Sequence, residues 1–245
     1  MSSSALRSAT EPAPSRRLVL FDIDGTLLWT DGAGRRAVFG ALEEHFGAID
    51  PRDHLFDGKT DPQIVRELLR RAGVSDADID ARLTPILDRY YALLNVELDG
   101  ADHREHVFPG VRALLDELEQ RGDVILGLLT GNIERGARAK LAAVGIDPDR
   151  FVVGAYGSDH HHRPELPEIA RRRAEDALGH RIAGRDVVVI GDTPADVACG
   201  RGIGARAIGV ATGRYSVEEL RACDAAAVFA DLSDTGAVVR AILGD

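Results

Sequence analysis

Short apolar runs that each stop at a polar, glycine-bearing motif, with amphipathic helical patterns between them, constrain this chain more than any other feature. The runs lie at 18–21, 124–129, 187–190 and 205–210, with weaker ones at 151–153 and 227–230. Such uninterrupted runs read as strands buried on both faces. The patterns between and after them predict helices over 111–120, 134–143, 166–178, 195–201 and 235–243. Alternation of this kind predicts an α/β fold: a doubly wound, Rossmann-like parallel sheet with helices on both faces.

The stretch 34–106 breaks the rhythm, with helical patterns and no convincing strand. One helix is predicted over 37–46. A second is capped by Asp61, carries Pro62 in its first turn and runs to Gly73. A third follows Asp76 and continues towards Leu94. The expected organisation is an α/β core from 17–32 and 107–245, and an inserted all-helical cap from 33–106. Residues 1–16 are rich in Ser, Ala, Pro and Arg without an apolar centre, which reads as a disordered tail rather than a signal peptide.

A formal net charge of -10 argues against nucleic acid or an anionic membrane as the main partner. No apolar run approaches the ~18 residues of a membrane span. Two cysteines, Cys199 and Cys223, suggest neither a disulfide framework nor a metal cluster, and reduced thiols in a cytoplasmic protein are expected. Oligomeric state is left open between monomer and homodimer. Lysine is scarce: Lys59 and Lys140 are the only two. Any task that needs a lysine therefore has two candidates.

In an open parallel sheet, ligands bind beyond the carboxyl ends of the strands. The first run ends in Asp22-Ile23-Asp24-Gly25-Thr26. Carboxylates at a buried strand end are costly without a partner, and a cation is the natural one. The run at 124–129 ends in Thr130-Gly131-Asn132, and that at 187–190 in Gly191-Asp192-Thr193-Pro194-Ala195-Asp196. Beyond 151–153 lies a polar loop containing His160-His161-His162-Arg163. A parallel sheet gathers all of these on one edge.

Together the motifs D-I-D-G-T, L-L-T-G-N and G-D-T-P-A-D, in that order and at strand ends, resemble the haloacid dehalogenase superfamily, in its phosphoglycolate phosphatase-like branch with a helical cap. The resemblance covers the chain from about Leu18 onward. It implies Mg²⁺-dependent hydrolysis of a small-molecule phosphate monoester. Asp22 becomes the nucleophile that forms an aspartyl-phosphate, and Asp24 the general acid and base. The metal falls to the Asp22 and Asp192 carboxylates and the Asp24 carbonyl, with Asp196 orienting its waters. Thr130, with backbone N–H groups near Gly131 and Asn132, receives the phosphoryl group. The family's third-motif lysine has no counterpart here, and Arg163 stands in its place; arginine keeps the charge and adds a bidentate fork.

Two residues keep two readings each. Lys59 is either part of a helix-capping loop or a cation reaching the site from the cap, and Trp29 either lines the entrance or packs. Lys140, on the helix after Thr130, is expected to face solvent, and the three histidines are expected to be solvated. The alternatives to a phosphatase are a sugar-phosphate mutase using the same nucleophile, a phosphonatase with Lys59 as its amine, and a metal-dependent binding protein without catalysis. Thr26 and the filled acidic positions favour the phosphatase.

Overall fold

The computed structural model describes residues 16–47, 53–100 and 106–244. The expected tail lies outside them, apart from Arg16. In chain order the elements are β1 (Arg17–Phe21), β2 (Leu28–Trp29), α1 (Ala33–Phe46), α2 (Asp61–Arg71), α3 (Asp76–Leu98), β3 (His106–Val107), α4 (Val111–Glu119), β4 (Val124–Thr130), α5 (Glu134–Ala143), β5 (Val153–Tyr156), α6 (Leu166–Leu178), β6 (Val187–Gly191), α7 (Pro194–Cys199), β7 (Arg206–Val210), α8 (Val217–Arg221), β8 (Ala227–Phe229) and α9 (Thr235–Leu243).

Six strands form one sheet in the order β5-β4-β1-β6-β7-β8, every pair parallel. This is the doubly wound α/β core that the alternation predicts. β1 sits inside the sheet, with Phe21 registered against Leu128 of β4 and Ile190 of β6. Its residues alternate between two apolar layers. Val19 and Phe21 join α4, α5 and α9, while Leu18 and Leu20 join α6. Burial on both faces explains why these strands are apolar throughout.

Helices α1–α3 carry a separate apolar cluster that includes Val38, Leu42, Val65, Leu68, Ile86 and Tyr90. They form an all-helical cap inserted after the first motif. A two-stranded antiparallel ribbon, Leu28 against Val107 and Trp29 against His106, ties together the segments by which the chain enters and leaves it. Trp29 thus belongs to a strand of this ribbon.

Local departures from the predicted elements have identifiable causes. α1 starts at Ala33, ahead of the expected Ala37, because Gly32 takes the left-handed conformation (φ 76°) that launches the helix. The cap of α2 is Thr60, not Asp61. Thr60 Oγ1 accepts from Gln63 N at 3.2 Å, which leaves the Asp61 carboxylate for another partner. β5 begins at Val153, beyond the expected 151–153, since Val152 is exposed and only the segment through Tyr156 pairs with β4. α7 closes at Cys199 and passes into a 3-10 turn over Gly200–Ile203.

Candidate active site

The carboxyl ends of β1, β4 and β6 deliver the three acidic and polar motifs to one cavity of about 630 Å³, whose far wall is the cap. Asp22 follows β1 directly and its N–H still donates to Ile190 O at 2.9 Å, so the sheet ladder fixes its backbone. Gly25 then turns the chain at φ 86°, and a Cβ there would lie 2.4 Å from Asp192 Oδ2. Only glycine permits both the turn and that approach.

Asp22, Asp192 and Asp196 are all buried, and one oxygen from each lies within 4.8 Å of the others. Asp192 accepts from Thr26 Oγ1 at 3.1 Å. Asp196 divides its carboxylate. Oδ2 closes a capping box with Thr193 at the start of α7 (3.0 Å from its N–H, 2.7 Å from its hydroxyl), while Oδ1 meets Arg163. The capping and site roles of Asp196 are thus held by different oxygens.

Arg163 is 4% exposed and faces this cluster. Its Nη2 lies 3.1 Å from Asp22 Oδ1, contacts Asp196 Oδ1 and donates to Leu129 O at 3.4 Å. Its Nε has no hydrogen-bond partner among the described residues. Burial pulls the guanidinium's pKa down, but Asp196 and Asp22 raise it by more, so it stays charged. One cation does not balance three buried carboxylates. Burial, and then the neighbouring acids, push Asp192 well above the ordinary carboxylate range; burial also lifts Asp22, against the pull of Arg163. A donor set of hard carboxylate oxygens short of positive charge fits a divalent cation such as Mg²⁺.

Asp24 lives in different surroundings. Its Oδ2 accepts from Asn132 Nδ2 (2.7 Å), and its Oδ1 and Oδ2 both accept from Lys140 Nζ (2.9 and 2.7 Å). Lys140 does not face solvent, contrary to the sequence expectation. It is 4% exposed, and its ammonium also donates to Asn132 Oδ1 at 2.7 Å. The signal was in the helix period: Lys140 shares a face of α5 with the buried Ala137 and Leu141, at i+3 and i+4.

Thr130 is fully buried at the end of β4, and its Oγ1 accepts from Asn132 N (3.3 Å) and Asn132 Nδ2 (2.8 Å). Gly131 carries the docking of the cap. Its carbonyl accepts from Asp61 N at 2.7 Å, and a Cβ on it would lie 1.9 Å from Lys59 O. The Asp61 carboxylate accepts from Ile133 N at 2.8 Å, and Thr60 Oγ1 donates to His161 O at 2.7 Å. The cap is therefore hydrogen-bonded onto the loop after β4.

Lys59 borders the cavity, but its Nζ is engaged by Glu67 Oε2 (2.5 Å) and His54 Nε2 (3.3 Å). Trp29 also lines the cavity and is 42% exposed. His161 and His162 are exposed, with His160 stacked on His161 at 5.0 Å between ring centroids. Both cysteines are free, and burial pushes the Cys199 thiol up to about 12, which makes it inert. No described helix is long and apolar enough to cross a membrane.

Comparison with known proteins places this arrangement. The tyrosine-protein kinase PtkA of Mycobacterium tuberculosis is 29% identical over 212 residues, spanning 85% of this chain and 67% of that protein. A predicted phosphoglycolate phosphatase from Haemophilus somnus superposes with a TM-score of 0.66 at 18% identity, covering 91% of this chain and 98% of its own. The β-phosphoglucomutase of Clostridium difficile superposes at 0.72 with 16% identity, covering 94% and 98%. These likenesses in structure establish the fold. The haloacid dehalogenase-like hydrolase family matches residues 19–201, from within β1 to just past α7 and so across every motif of the site, and the chain belongs to that family.

Proposed function

We propose that the protein is a Mg²⁺-dependent phosphatase of small phosphate monoesters that works through an aspartyl-phosphate on Asp22. Its catalytic core is 17–32 and 107–245, and its cap 33–106. The observation that carries the reading is the pairing of Asp22, set among acids short of positive charge, with Asp24 two residues on, set against a cation and facing the same cavity.

Asp22, Asp192 and the Asp24 carbonyl would hold the metal, with Asp196 beside them. When bound, Mg²⁺ supplies positive charge against the phosphoryl oxygens and the attacking carboxylate. The chain's own groups do the rest. Arg163 and Thr130 bind the phosphoryl oxygens; because Thr130 Oγ1 acts as acceptor towards Asn132, its own proton remains for a phosphoryl oxygen. An Asp22 oxygen attacks phosphorus as the bond to the leaving oxygen breaks, and Asp24 gives that oxygen a proton. Asp24 then takes a proton from water, whose oxygen displaces the Asp22 carboxylate and releases inorganic phosphate.

A cavity of about 630 Å³ is of a size that suits a small molecule. The cap that walls it off limits bulk water during transfer. A mutase would keep the same first half-reaction and differ only in the acceptor. The fold it shares with β-phosphoglucomutase makes a sugar hydroxyl the second acceptor to test, and the name of the mycobacterial relative makes a tyrosyl hydroxyl the third.

The test is a panel of phosphate monoesters, phosphoglycolate and sugar phosphates among them, with Mg²⁺, with EDTA, and with Asp22→Asn as control. Inorganic phosphate release that needs Mg²⁺ and Asp22 is the expected outcome. Isomerised sugar phosphate without phosphate release identifies a mutase. Unimpaired turnover in Asp22→Asn rules out the covalent route.

A further inference from the structure

Lys140 contacts none of the residues proposed to bind metal or phosphoryl through their side chains, yet its ammonium is buried. Burying such a charge costs several kcal/mol unless it is well paired. Its position on α5 lies between Ala137 and Leu141, where an apolar side chain would pack at no such cost. Among the described residues its three hydrogen bonds all end on two residues of the site, Asp24 and Asn132.

The orientation of both follows from that one ammonium. By donating to Asn132 Oδ1, Lys140 sets the Asn132 amide so that Nδ2 points at Asp24 (2.7 Å) and Thr130 (2.8 Å). By gripping both Asp24 oxygens, it fixes the rotation of a carboxylate that is otherwise one-third exposed to the cavity. The cap closes around the ammonium. A Cβ on Gly34 of α1 would lie 3.1 Å from Nζ, and the buried Asp61 of α2 interacts with it electrostatically.

We infer that Lys140 is a positioning residue, which holds Asp24, together with Asn132, in the one orientation that can exchange a proton with the leaving oxygen and then with water. The inference rests on the phosphatase reading above and adds to it a residue whose loss acts chiefly through Asp24 and its partner Asn132.

The experiment is a double-mutant cycle between Lys140→Met and Asp24→Asn on the full chain with Mg²⁺. It uses an alkyl phosphate, whose leaving group needs a proton, and 4-nitrophenyl phosphate, whose leaving group does not. General acid–base groups contribute about 10²–10⁴-fold, so Lys140→Met is expected to lower kcat on the alkyl ester by roughly 10²-fold. KM should move less than about threefold, since phosphoryl binding is untouched. With the aryl ester a burst of nitrophenolate stoichiometric with enzyme should precede slow turnover, because only the second half-reaction still needs Asp24.

In the Asp24→Asn background the Lys140 substitution should cost nothing further. Ethylammonium added to Lys140→Ala should restore part of kcat. Full activity in Lys140→Met, or a loss that multiplies with that of Asp24→Asn, overturns the inference. If thermal melting shows Lys140→Met unfolded, Lys140→Arg runs through the same cycle: it keeps the charge and displaces the grip, so a kcat loss confined to the Asp24 background supports the inference and an additive loss overturns it. Activity in Asp22→Asn would instead remove the phosphatase reading, whatever Lys140 does.

Discussion

Two aspartates two residues apart have been given opposite company. On the Asp22 side, core strand ends crowd three buried carboxylates around one guanidinium, Arg163, and the cluster is short of positive charge. On the Asp24 side, the helix after β4 supplies an ammonium that grips the carboxylate from both oxygens, and the cap closes over it. The first arrangement leaves room for an outside cation. The second provides its own. On the proposed mechanism the same side chain serves as nucleophile in one place and proton carrier in the other, and environment divides the labour.

The comparison breaks most visibly at Asp22. Asp22→Asn should reduce phosphate release by at least about 10⁴-fold, the scale on which losing a nucleophile is felt, as measured by steady-state turnover. Arg163→Ala should lower kcat by about 10²–10³-fold, the usual loss for one charged donor to a phosphoryl group, with Arg163→Lys recovering part of it. A loss in Lys140→Ala that falls on KM rather than kcat would erase the distinction between the two sides.

A thermal shift sharpens the charge argument. Mg²⁺ at about 100 times its dissociation constant should stabilise the protein by about 2.7 kcal/mol, and Asp192→Asn should abolish the shift while Asp24→Asn leaves most of it. The last effect belongs to the cap and bears on stability, not turnover. Burial holds the Asp61 carboxyl at about 6, above its ordinary 3.8, partly offset by Lys140 and the Ile133 N–H. The folded chain thus binds that proton more tightly than the unfolded one. The stability it contributes is complete below about pH 4 and lost as pH rises past about 6, on the order of 3 kcal/mol. Asp61→Asn should flatten that part of the profile in denaturant titrations across the window.

The sheet and its motifs were legible because burial on both faces writes strands as apolar runs, and because the acidic residues stand where those runs stop. The family match across 19–201 agrees with the resemblance read from those motifs. β5 was read short because Gly154 and Ala155 carry no strand signal of their own; only pairing with β4 defines them. α8 escaped notice because five residues are too few to display a helical period. Lys140 departs from the expectation for its residue type. Lysine is normally solvated, and that expectation outweighed a period that put it on the buried face. The partner that reverses it, Asp24, is 116 residues away, a juxtaposition that only the folded sheet creates.

The strand order carries a consequence for how the molecule comes to be. β1 is synthesised first and ends up between β4 and β6, whose pairing segments begin at Val124 and Val187. Until about half of the chain has left the ribosome, the strand that leads into both aspartates has no neighbour on either side, whereas the cap helices can meet one another locally. Long-range parallel pairing of this kind is intrinsically slow. Pulse-labelled hydrogen exchange during refolding should therefore find the amides of β1 among the last to be protected, and reactivity should appear only when they are.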